Sequence, residues 1–156
     1  MTLVEILEKS KAFLEANAWG QTVDRAEEKG APDGFKYCAQ GAIAYGAFGG
    51  AGYCVSQAYF HEGDCDLDEY DDCLRESSED LTEPFGKARE LLSELTREIT
   101  GKSYVGLTWY NDQLERTKED MLALFDKAIE RARGSEQSSV PASEESAIPP
   151  RKAEQA

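Results

Sequence analysis

Apolar residues recur at helical spacing in three stretches of the chain, and each stretch carries its own start signal. Leu3, Ile6, Leu7, Phe13 and Leu14 define one stripe, preceded by Thr2 with Glu5 three residues on. That pair is a capping box, so the pattern predicts a helix over residues 3–17. Phe85, Ala88, Leu91, Leu92, Leu95 and Ile99 form a second stripe with Pro84 at its start and Gly101 just past its end. Proline costs nothing in a first turn and glycine readily takes a left-handed terminus, so a helix over 83–99 follows. A third stripe runs through Met121, Leu122, Leu124, Phe125, Ala128, Ile129 and Ala132 behind a second capping box, Thr117 with Asp120, and predicts a helix over 118–132.

Between these stripes the pattern is shorter. Asn17 to Gly20 should end the first helix, with Trp19 folding back on the core and Gly20 left-handed. Turn formers Gly30, Pro32, Asp33 and Gly34 predict a hairpin or long loop within 21–37. From Cys38 to Tyr45 the residues are small and apolar, predicting a buried helix over 38–47 that another backbone can approach closely. Gly46, Gly49, Gly50 and Gly52 break it, and Tyr53 to Phe60 should form a short helix. Lys102 to Trp109 suits a short strand or buried extended segment, and Asn111-Asp112 a turn.

The expected fold is therefore mainly α. It is a compact single domain of four to five helices with at most a short β-hairpin or two-strand pairing around 21–37 and 102–109. From Gly134 the composition is Ser, Glu, Gln, Pro and Ala without apolar periodicity, so a helical domain over 1–133 and a disordered tail over 134–156 are expected.

Composition changes the picture through charge. Hydrophobic residues at 40% allow a packed core, but 31 acidic against 17 basic side chains give a net charge of −14. Such a chain repels nucleic-acid phosphates and anionic headgroups, so neither direct nucleic-acid binding nor a membrane partner is expected. No apolar run reaches membrane-spanning length, and the start of the chain mixes charge with apolar residues rather than showing an export signal. A cytoplasmic protein with free thiols at Cys38, Cys54, Cys65 and Cys73 is expected, and none of their spacings suits structural zinc.

Most of the charge sits on residues 62–80, where ten carboxylates face Arg75 alone. Within it, Asp64, Asp66, Leu67, Asp68, Glu69, Tyr70, Asp71 and Asp72 interleave acid with apolar side chains. This pattern can steer a protein partner with a basic surface and then bury a few anchors, or mimic part of the charge of DNA. Asp64, Asp66 and Asp68 fit the first ligand positions of a calcium loop. Glu69 replaces its glycine, however, and Arg75 its bidentate glutamate, leaving only loose divalent-cation binding. No metal site and no cofactor is expected. Gly46 to Gly52 lacks the Lys-Ser/Thr of a phosphate loop.

One catalytic arrangement is conceivable. Cys38, His61 and Asn111 or Asp112 follow the chain order of nucleophile, base and orienting group in papain-like hydrolases, and a cysteine at a helix N-terminus gains thiolate character from the dipole. The alternative treats Cys38 as a small buried hydrophobe, His61 as solvated, and Asn111-Asp112 as a turn. Trp19, Trp109, Tyr104 and Tyr110 are read as core anchors.

Three pieces stand in a recognisable order: Ala18-Trp19-Gly20, then Tyr37-Cys38-Ala39-Gln40-Gly41-Ala42-Ile43, then Trp109-Tyr110-Asn111-Asp112 leading to Arg116-Thr117. In this the chain resembles an uncharacterised family, a domain of unknown function, of small actinobacterial and actinobacteriophage proteins. The resemblance covers about residues 3–132, with Tyr110 a departure from a tighter Trp-Asn-Asp form. It implies a phage or actinobacterial provenance and assigns no activity. A non-enzymatic interaction or regulatory factor is the expected function, with the cysteine hydrolase as the alternative.

Overall fold

Thr2 opens the first helix, α1 (Leu3–Ala16), in the computed structural model, which describes residues 1–49 and 81–147. The capping box is closed in both directions, Glu5 N–H donating to Thr2 Oγ1 at 3.1 Å and Thr2 N–H to Glu5 Oε2 at 2.7 Å. Ile6, Leu7 and Leu14 are buried along its stripe. Its last carbonyls are met by side chains: Asn17 Nδ2 donates to Phe13 O at 2.9 Å, and Lys118 Nζ reaches Asn17 O at 2.7 Å and Glu15 O at 3.2 Å. A cation at this end also opposes the helix dipole.

Three short strands follow, β1 (Ala18–Trp19), β2 (Arg25–Glu27) and β3 (Phe35–Tyr37), in the order β1-β3-β2. β2 and β3 form the expected hairpin, with Ala26 opposite Lys36, and its turn uses Gly30 (φ 91°) and Gly34 (φ 86°). The other neighbour of β3 is β1, parallel, with Trp19 opposite Tyr37. No strand forms from Lys102 to Trp109, so the pairing of that segment with 21–37 is corrected. The backbone there is satisfied by side chains of a neighbouring helix: Arg97 Nε donates to Val105 O at 3.0 Å, and Leu107 N–H to Ser93 Oγ at 3.0 Å.

Helix α2 (Ala39–Gly41) runs on as a π-helical segment, Ala42–Ala47, within the helix expected over 38–47. Ala39, Ala42, Ile43, Ala44 and Ala47 are buried there, and α1 packs along the segment. Close approach needs the small residues. A Cβ on Gly41 would stand 1.9 Å from Asp24 O, and one on Gly46 would stand 2.6 Å from Phe13 Cβ. The short helix expected over 53–60 lies outside the described residues.

Helix α3 (Thr82–Thr100) ends as predicted at Gly101, left-handed at φ 72°, whose N–H donates to Arg97 O at 2.8 Å. Helix α4 (Leu107–Asn111) occupies the place of the expected strand end, because Leu107 and Tyr110 bury at helical spacing. Asn111 thus closes a helix and Asp112 caps it. Helix α5 (Lys118–Ala147) opens on the second capping box, Thr117 N–H to Asp120 Oδ2 at 2.9 Å and Asp120 N–H to Thr117 Oγ1 at 3.2 Å. Its backbone continues beyond residue 132, where periodicity ends it, and Arg133 to Glu136 are exposed.

The core gathers α1, the π-helical segment, α3, α4 and α5 around Phe85 and Phe125, both fully buried. Each such side chain contributes about 1.5–3 kcal/mol relative to an exposed position. Among the described residues no helix is long and apolar enough to cross a membrane.

Candidate functional site

Asn111, at the end of α4, is 1% exposed and uses every hydrogen-bonding position of its side chain. Its Oδ1 accepts from Trp19 Nε1 at 2.8 Å and from Ala39 N–H at 2.9 Å. Its Nδ2 donates to Gly20 O at 3.1 Å and to Asp112 Oδ1 at 3.0 Å. Gln21 Nε2 donates to the main-chain oxygens of Asn111 and Gln113 at 2.9 and 2.7 Å, and Thr22 N–H to Asp112 Oδ1 at 2.9 Å. The Ala-Trp-Gly piece, the Cys-Ala-Gln-Gly piece and the Trp-Tyr-Asn-Asp piece therefore meet at one amide.

This clamp explains a backbone departure. Gly20 does not take the left-handed conformation; Thr22 does, at φ 77°. A β-branched residue rarely adopts that region unless its surroundings impose it, and here Gln21 and the Thr22 amide are both anchored to 111–113.

A second polar cluster lies on the other side of Cys38. Cys38 caps α2, its Sγ accepting from Gly41 N–H at 3.4 Å, and its thiol donates to Asp24 Oδ1 at 3.6 Å. Asp24 Oδ1 also accepts from Gln40 Nε2 at 2.9 Å. Gln40 Oε1 in turn accepts from Arg89 Nε at 2.7 Å and Thr108 Oγ1 at 3.4 Å. Asp24 and Arg89 were not legible as site residues, the one in a short mixed stretch and the other on the polar face of α3. No local signal marks them; they are found through Gln40, which the sequence offered only as part of a motif.

Cys38 stands at the helix N-terminus that the catalytic reading requires, yet its thiol is not activated. Burial, reinforced by the Asp24 carboxylate, pushes it up to about 12 against the opposing pull of the Gly41 and Gln40 amides. At neutral pH it is a protonated donor, which opposes its use as a nucleophile. Asn111 reaches only the neighbouring amide of Ala39, which donates to its Oδ1, and is committed to structural bonds, while Asp112 Oδ1 accepts from Thr22 N–H and Asn111 Nδ2. His61 lies outside the described residues.

So do Asp64, Asp66, Leu67, Asp68, Glu69, Tyr70, Asp71 and Asp72, and with them the rest of the acidic segment. Cys38 is a free thiol; Cys54, Cys65 and Cys73 fall outside as well. Among the described residues no three or more His, Cys, Asp or Glu side chains cluster as metal ligands would.

Of the four aromatic side chains read as anchors, Tyr110 is buried with the Arg116 guanidinium 4.0 Å over its ring, and Trp19 and Trp109 pack partly buried against the core. Tyr104 is 77% exposed and is no part of it, because the turn after Gly101 carries it outward.

No curated protein and no solved structure matches the chain. The model of one family, described as a family of unknown function, does match, over residues 1–131, which includes all three pieces that meet at Asn111. On that match the chain belongs to the family of unknown function DUF6197.

Proposed function

We propose that the protein is a non-enzymatic interaction or regulatory factor, working in the cytoplasm of an actinobacterium or of a phage-infected host, and binding a protein partner with a basic surface through residues 62–80. The observation that carries this reading is the inward commitment of the motif side chains. Trp19, Asn111 and Asp112 spend their polar groups on one another and on main chain, Gln40 on the side chains of Asp24, Arg89 and Thr108, and Cys38 is a protonated cap. What distinguishes the rest of the chain's chemistry is instead the concentration of ten carboxylates over residues 62–80, interleaved in sequence with Leu67, Tyr70 and Leu74.

The test is affinity capture from an actinobacterial lysate with the wild type beside a variant carrying Asp64, Asp66, Asp68, Asp71 and Asp72 changed to Asn. A protein retained by the wild type, released by salt and lost by the variant supports the reading. Release of that protein by added duplex DNA would identify the acidic segment as a partial DNA mimic. Equal capture by both baits, or by neither, rejects it.

A further inference from the structure

We draw no further inference here: the strongest candidate, the surface patch beside the Asn111 clamp where Val23 and Leu114 are exposed and Arg116 Nε is buried without an acceptor among the described residues, is an apolar face for which nothing in the structure shows what covers it.

Discussion

The indole nitrogen of Trp19 donates to the side-chain oxygen of Asn111 at 2.8 Å, across 92 positions of sequence, and the same oxygen accepts the first free amide of α2. Both donors lose their partner if that oxygen is removed. Asn111→Ala should therefore destabilise the protein by about 2–4 kcal/mol, the range for stranding buried polar groups, and lower Tm by roughly 10 °C. Asn111→Asp should be as damaging, because it sets a carboxylate against Asp112 Oδ1 where an amide now donates. Thermal and urea unfolding of both variants checks this; a change under 1 kcal/mol for Asn111→Ala would contradict the hub.

Gly41 is held against main chain, not against a side chain that can move aside. With Asp24 O 1.9 Å from where a Cβ would stand, Gly41→Ala must separate the loop before β2 from α2 and break the Asp24 contacts to Cys38 and Gln40. The expected outcome is a loss of about 3 kcal/mol or more, measured by urea unfolding, whereas Gly134→Ala, with open space around it, should be neutral or mildly stabilising.

Cys38 links stability to pH at the alkaline end. Its folded-state pKa is raised to about 12 from an ordinary 9.0, so the native state binds the proton more tightly than the unfolded chain. The stabilisation is complete below pH 9 and is lost as pH climbs from about 9 to about 12. Tyr37, raised to about 12 by burial and its bond to Asp33, adds a loss of the same sign above pH 10. Cys38→Ala should flatten the first part of this decline in unfolding free energy against pH. Site-resolved mass spectrometry should also find Cys38 slow to alkylate with iodoacetamide at neutral pH in the folded protein and fast in denaturant. Rapid native labelling would restore the hydrolase reading.

Residues 134–136 continue the α5 helix at exposed positions. Deleting 134–156 should leave Tm within about 2 °C of the full chain, as expected for a segment whose composition lacks apolar periodicity. A drop of many degrees would move the domain boundary outward.

What could be read from the sequence was whatever local rules decide. The capping boxes at Thr2 and Thr117, the stop at Gly101 and the turn glycines 30 and 34 need only their neighbours, and all formed as predicted. The segment 102–109 has the β-branched and aromatic content of a strand, but Ser93 and Arg97, on another helix, take over its backbone groups. The positive φ moved from Gly20 to Thr22 because Asp112, far along the chain, holds the Thr22 amide. At the site, motif residues were visible as a pattern, yet their convergence on Asn111, and the roles of Asp24 and Arg89, exist only in three dimensions.

The separation between Trp19 and Asn111 also bears on the order in which the molecule is made. While the chain emerges from a ribosome, β1 and the start of α2 are complete long before residue 111 appears, and until then the Trp19 indole and the Ala39 amide have no Asn111 to bind. The N-terminal half should therefore not mature as a unit of its own. Its locking waits on a contact of high sequence separation, which slows folding and makes it all-or-none, so a fragment ending before α4 should remain loosely structured and prone to degradation.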